Sequence, residues 1–419
     1  MTFLAGIALI SWAAWVWLLV GRGFFWRTDQ RLPRTGAAAE PDRWPDVTVV
    51  VPARDEAEVL PLSLPSLLAQ DYPGRADVVL VDDGSTDGTG SAARAIAEGQ
   101  GPGALPLTVV SPGPPEPGWT GKLWAVRHGI AVARGRSGAA PTPADGQRPT
   151  GPAGGEARGC PAEFLLLTDA DIAHAPDSLR RLVAAAVAHD LDLVSQMARL
   201  RVANAWERLV VPAFVYFFGQ LYPFRWVNRP AGRTAAAAGG CVLLRAEAAD
   251  RAGVPDAIRG AVIDDVALAR ALRRHGGRIW LGLAERVDSV RPYPRLADLW
   301  DMVARSAYAQ LRHSVVLLAA AVAGIALVHL APPLCLAAGL AVGDPVAAWA
   351  GGGAWAVMAG TYVPMLRHYR QPAWAAVLLP LTALLYLCMT VDSAVRHHRG
   401  RGAAWKGRTY PRPQAAPDS

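Results

Sequence analysis

The feature that most constrains this chain is where its apolar residues sit. Residues 2–21 carry no charged side chain, and Arg22, Arg27, Arg31 and Arg34 follow at once. A run of about 20 apolar residues matches the hydrocarbon thickness of a bilayer at helical rise. A cleaved signal peptide would need a basic start and a small-residue cleavage site. This chain starts Met-Thr-Phe-Leu, so residues 1–22 read as a retained transmembrane anchor. Three further apolar tracts lie at 314–343, 345–366 and 372–391. A buried soluble core produces one such tract, not three in succession. The sequence therefore predicts a C-terminal transmembrane region over 314–394 and a basic tail over 395–419. Composition agrees: 52% of residues are hydrophobic, only 18% are charged, and there are 15 Trp against 8 Phe. Indole rings favour the membrane–water boundary.

The basic residues after the first tract place it with its N-terminus outside and the following chain in the cytoplasm, the arrangement of a bacterial inner-membrane protein. Three C-terminal spans would then leave Arg396, Arg399, Arg401, Lys406 and Arg408 outside, against the same rule. Either one tract does not cross, or another crossing exists. The segment 209–224 is short and holds Pro212 and Pro223, so it reads as an interfacial helix. A net charge of +7 suits nucleic acid, anionic lipid or a phosphorylated small molecule. Its clustering beside the apolar tracts, with no nucleic-acid reading module, disfavours the first. The four cysteines (Cys160, Cys241, Cys335, Cys388) form no CxxC pair, which argues against a thiol metal site and fits a reducing compartment.

Between the tracts, residues 40–310 alternate strand-like and helix-like segments. VTVVVPA (47–53), ADVVLVDD (76–83), LTVV (107–110), FLLLTDAD (164–171) and LDLVSQM (191–197) read as strands. Helices fit at 57–70, 88–98, 121–133 and 177–189. The pattern implies an α/β domain with a mostly parallel sheet flanked by helices. Ligands in such sheets bind beyond the carboxyl ends of the strands, where Arg54-Asp55-Glu56, Asp82-Asp83-Gly84-Ser85 and Asp169-Ala170-Asp171 fall. Residues 134–161 are rich in Gly, Pro and Ala without apolar periodicity, and read as a disordered insertion.

Each acidic motif has a plain structural explanation beside a chemical one. Asp169 and Asp171 could be a solvated strand-end turn, or could share a hard divalent cation, Mg²⁺ or Mn²⁺, on a diphosphate. Ser85 or Thr86 could simply cap a helix, but capping does not call for paired acids directly after VVLV. Asp264 and Asp265 could be helix N-terminal acids favoured by the macrodipole.

Taken together, PARDEAE (52–58), VDDGSTDGT (81–89), GWTGKLWA (118–125) and TDADI (168–172) resemble the family-2 glycosyltransferases of the GT-A fold, over roughly residues 45–310. GCVLLRAEA (240–248) and IDDVALA (263–269) extend the likeness. The membrane tracts and the closing WKGRTY (405–410) look like the membrane-bound lipid glycosyltransferases, in particular the hopene-associated subgroup. The resemblance implies that Ala53, Asp55, Glu56 and Asp83 line a nucleotide pocket. It places Lys122 near the donor, and Asp171 with Asp169 on the metal. It makes Asp265, paired with Asp264, the catalytic base. The family more often has Glu-Asp at that pair. Its later QxxRW motif is replaced by ARSAYAQLRHS (304–314), where Arg305, Gln310 and Arg312 are the candidates for diphosphate or acceptor. Trp405, Arg408 and Tyr410 could close over the donor.

The implied reaction is an inverting transfer from a nucleotide-diphosphate sugar, UDP-hexose by family habit, to a membrane lipid. A processive polysaccharide synthase and a phosphoprenol glycosyltransferase are the neighbouring readings. A non-enzymatic membrane scaffold would not need Asp169 with Asp171, the Asp264-Asp265 pair and Lys122 all intact.

Overall fold

The computed structural model describes residues 2–33, 40–135, 162–230 and 232–400, and the backbone strands 404–405 and 408–409. The chain divides into two compact units. One holds Arg31–Leu200 and Pro230–Arg291, and the other holds Met1–Gln30, Arg201–Arg229 and Pro292–Ala404. Residues 201–229 and 292–310 thus group with the apolar helices rather than with the sheet.

The first unit is built on eight strands: β1 (Val47–Ala53), β2 (Ala76–Asp82), β3 (Leu107–Val110), β4 (Phe164–Thr168), β5 (Ile172–His174), β6 (Leu193–Arg199), β7 (Cys241–Arg245) and β8 (Ile279–Ser289). Their order is β3-β2-β1-β4-β7-β6-β8-β5. The β3-β2-β1-β4 half is parallel. β7 runs antiparallel to β4 and β6, and β5 antiparallel to β8, while β6 and β8 are parallel. Every residue of β1 is buried, as an unbroken Val-rich run requires when helices cover both faces. Val49, Val51, Leu80 and Leu166 pack with Leu60, Leu64, Leu67, Leu179 and Leu182 on one face. Val50, Val79, Val81 and Ala125 pack on the other. Burying each of these side chains contributes about 1.5–3 kcal/mol.

Helix Gly121–Ala133 lies on that second face, started by Thr120, whose side chain accepts from the Leu123 N–H. It comes close to the sheet because Gly129 has no side chain. A Cβ there would stand 2.3 Å from Val50 Cγ1. This close seat fixes the level at which Lys122, in the first turn of the helix, meets the strand ends.

The second unit is helical. Its long helices are Phe3–Gly21, Pro345–His368 and Leu379–His398, together with a run from Val315 to Val342 that passes through a π-helical turn at Ala326–Leu330. Among the described residues three stretches are long and apolar enough to cross a membrane: Phe3–Gly21, Val315–Val342 and Ala373–His398. The tract expected at 345–366 is a helix of 24 residues, Pro345–His368, but its glycines and polar Thr361 leave it outside that set. Small residues make its contacts. A Cβ on Gly339 would sit 2.5 Å from Ala348 N, and one on Gly351 would sit 2.7 Å from Leu336 N. Such close backbone approach is how helices associate where solvent offers no hydrophobic drive.

The π turn precedes Pro332 and Pro333. Pro332 has no N–H for the carbonyl of Val328 four residues earlier, and Trp15 Nε1 donates to that carbonyl instead at 2.6 Å. The segment expected to be interfacial is helix Ala205–Leu221, opened by a reciprocal capping box between Asn204 and Glu207.

Candidate active site

The loops after β1 and β2 interlock. Arg54 Nη1 donates to the Asp83 carbonyl at 2.5 Å, and Asp83 itself is fully buried. The Asp55 N–H donates to Ser85 Oγ at 3.0 Å, and the Asp55 carboxylate accepts from the Thr86 N–H at 2.8 Å. The Glu56 N–H donates to Thr89 Oγ1 at 2.8 Å. Asp55 adopts φ 49°, a left-handed conformation that Asp tolerates better than most residues. Ala53 ends β1 with no exposure. The two motifs that the sequence set side by side are therefore one loop cluster, and part of their polar capacity builds the cluster itself.

After β4 the chain turns through Asp169 and Asp171. Lys122 Nζ lies 2.8 Å from Asp169 Oδ1 and 3.1 Å from Asp264 Oδ2. Burial pushes the Lys122 ammonium toward deprotonation, but Asp169, Asp264 and Asp265 outweigh it and hold the charge well above the usual lysine range. Asp265 is held by backbone, with Gly239 N–H donating to Oδ2 at 2.9 Å and Val266 N–H to Oδ1 at 2.7 Å. Burial first, and the neighbouring Asp264 second, push its carboxyl up to about 7. Burial also raises Asp169, with Asp171 and Asp264 adding to it and Lys122 opposing. Behind this cluster the wall is apolar: Leu123, Val126, Ile130, Val242, Leu244 and Leu268 line it.

Asp171 is fixed by residues that no sequence motif marked. Its Oδ2 accepts from Ser289 Oγ at 2.9 Å and from Arg291 Nε at 3.3 Å. Arg291 Nη2 also reaches both oxygens of Glu56, at 2.8 and 2.7 Å. Arg291 lies 235 positions from Glu56, and its only sequence signal is a place just past a strand. Ser289 is the last residue of β8, which pairs with β5 and so returns to the Asp169–Asp171 turn.

Arg305, Gln310 and Arg312 belong to the helical unit. Arg305 and Gln310 are on helix Leu296–Gln310. Gln310 Nε2 donates to the Tyr222 hydroxyl, and Arg312 sits in the following turn at φ 52°. Trp405 and Arg408 lie on two short paired strands, Ala404–Trp405 and Arg408–Thr409. Their side chains, Tyr410 and the insertion at 136–161 fall outside the described residues.

Among the described residues, no three His, Cys, Asp or Glu side chains form a ready metal cage. Asp169 and Asp171 offer two hard carboxylates. That fits Mg²⁺ or Mn²⁺, which bind through one or two carboxylates and complete their shell with water and substrate phosphates.

Sheet order, the strand-end loops and the acidic cluster together define a nucleotide-sugar transferase of the GT-A-like type. Residues 45–309 match the family model described as glycosyltransferase like family 2, and the chain belongs to that family of glycosyltransferases. Among solved structures, the chain is similar to the mannosyltransferase PcManGT from Pyrobaculum calidifontis, in complex with GDP-Man and Mn²⁺. The identity is 22% and the TM-score 0.54, over 95% of this chain and 100% of that one. Glucosyl-3-phosphoglycerate synthase from Mycobacterium tuberculosis, in complex with Mn²⁺ and UDP-glucose, matches at 17% identity and a TM-score of 0.35, over 62% of this chain and 75% of that one. No curated protein matches the chain.

Proposed function

We propose that this protein is a membrane-bound inverting glycosyltransferase that moves a hexose from a nucleotide-diphosphate sugar, UDP-hexose in the first instance, to a hydroxyl of a lipid acceptor, with hopanoid-type lipids among the acceptors to be tested. The observation that carries the reading is the Asp265 carboxylate. It is gripped by two backbone N–H groups, pushed up to about 7, and set beside the Lys122–Asp169 pair. A base with a pKa near the working pH combines a usable ionised fraction with real driving force for proton transfer.

In this scheme Asp265 accepts the proton of the acceptor hydroxyl. The acceptor oxygen bonds to the sugar C1 as the C1–phosphate oxygen bond breaks. The nucleotide diphosphate leaves from the opposite face, so configuration inverts. Lys122 stands where it can meet the diphosphate charge while it pairs with Asp264. A divalent cation held by Asp169 and Asp171 would neutralise the leaving diphosphate. The apolar wall behind the cluster keeps water from competing with the acceptor.

The helical unit supports a bilayer placement that removes the crossing conflict. Thr2 Oγ1 bonds to Asp344, so the start of the first helix and the 343–344 turn share one end, which carries no Lys or Arg. Arg22, Arg312, Arg367 and Arg370 fall at the other ends of the same helices. The chain after Pro372 runs back beside helix Pro345–His368, with Trp355 Nε1 donating to the Val377 carbonyl. Helix Leu379–His398 then returns, and His397 stacks on His313 just before Val315. In this reading Ala373–His398 enters and leaves on the basic side. Phe3–Gly21, Val315–Val342 and Pro345–His368 cross, and the transferase unit and tail share the cytoplasm, as the positive-inside rule requires.

The test is lipid mass spectrometry of cells expressing wild type or Asp265→Asn. A hexosyl-lipid peak present only with wild type is the expected result. Equal peaks from both, or none from either with any nucleotide sugar supplied, would overturn the proposal.

A further inference from the structure

Each aspartate of the Asp169–Asp171 pair already holds a protein cation. Lys122 is 2.8 Å from Asp169, and Arg291 is 3.3 Å from Asp171 while spanning Glu56. The partly buried cluster contains Glu56, Asp169, Asp171, Asp264 and Asp265 against these two cations. Carboxylates gathered at one place repel one another, and the two cationic side chains paired with them serve as internal counter-ions. A divalent cation arriving alone would meet a like charge within a few ångströms of either ligand. One arriving with a nucleotide diphosphate brings anionic oxygens that can take over Lys122 and Arg291.

Resting on the donor reading above, we propose that Lys122 and Arg291 compete with a divalent cation for Asp169 and Asp171. The metal and the nucleotide diphosphate are therefore admitted together, and Arg291 is the positioning residue that enforces this. Ser289 is the second half of the device. Its hydroxyl holds the same Asp171 oxygen at 2.9 Å, so Asp171 stays aimed when the guanidinium leaves. Arg291 suits the role because a fork of donors can release Asp171 through Nε and keep Glu56 through Nη2.

The experiment measures Mn²⁺ binding to the full-length protein in detergent by electron paramagnetic resonance, with and without UDP or GDP. Wild type is expected to bind Mn²⁺ at least tenfold more tightly with nucleotide diphosphate than without. Arg291→Gln removes one unit charge beside a ligand, and is expected to tighten nucleotide-free binding by about tenfold and so close most of the gap. Arg291→Lys, which keeps the charge but not the fork, is expected to leave nucleotide-free binding as weak as in wild type. Because Arg291→Gln leaves Glu56 without this cation, the double variant Arg291→Gln/Glu56→Gln is measured beside it and is expected to show the same tightened binding. Nucleotide-free binding that is unchanged or weaker in both the single and the double variant would overturn the inference while leaving the donor reading intact. Absence of Mn²⁺ binding by wild type with either nucleotide would overturn the donor reading and this inference with it.

Discussion

If Asp265 is the base, its raised pKa must appear in the rate. A carboxyl at about 7 is about half ionised at neutral pH, and each pH unit below that removes about tenfold of the active form. This is equivalent to about 1.36 kcal/mol on the barrier. Nucleotide diphosphate release from the donor–acceptor pair, followed at saturating donor between pH 5 and 8.5, should climb with unit slope and level off just above 7. An ordinary carboxylate would give a flat profile over that range. Asp264→Asn separates the causes: burial remains and the like charge goes, so the midpoint should move to lower pH. Asp265→Asn should lower turnover by about 10²- to 10⁴-fold while nucleotide affinity stays within about twofold. A flat wild-type profile with a rate-limiting chemical step, or an Asp265→Asn variant with more than a tenth of wild-type turnover, would refute the assignment.

Other consequences follow from packing. Gly129→Ala should destabilise: the helix-propensity gain of up to about 1 kcal/mol is opposed by a Cβ placed 2.3 Å from Val50, and such overpacking costs about 1–3 kcal/mol. A raised thermal midpoint would contradict this. Glu207→Ala should lower the midpoint by several degrees, because the buried carboxylate accepts from the N–H groups of Ala203, Asn204 and Tyr293 and orphaned donors cost about 1–3 kcal/mol each. For the bilayer placement, single cysteines at Gly343 and Gly400 in a cysteine-free background should label from opposite sides of the membrane. Labelling of both from outside intact cells would place the tail wrongly.

The legible part of the fold was the part carried by unbroken apolar runs. β1 to β4 and β6 stand where VTVVV, DVVLV, LTVV, FLLL and DLVSQM put them. β8, IWLGLAERVDS, mixes exposed Glu285 and Arg286 into its length, and β5 has three residues; neither shows a period. Lys122, Asp169, Asp264 and Asp265 were named from motifs, and the structure gathers them. Arg291 was not legible because its meaning lies in an ion pair across 235 residues. The crossing count stayed open for a related reason: hydropathy measures how apolar a stretch is, whereas the proposed directions rest on contacts such as Thr2 with Asp344 and Trp355 with Val377.

The join between helix Gly121–Ala133 and β4 has a practical meaning. Arg134 Nη2 donates to the Ala246 carbonyl at 2.6 Å, and the Ala246 N–H donates to the Glu163 carbonyl at 2.9 Å. The two edges of the 136–161 segment are thus tied to one residue, at the amino end of β4, whereas Asp169 lies past its carboxyl end. The chain can be shortened, cut or fused to a reporter there with both edges still fastened and the chemistry on the far rim untouched.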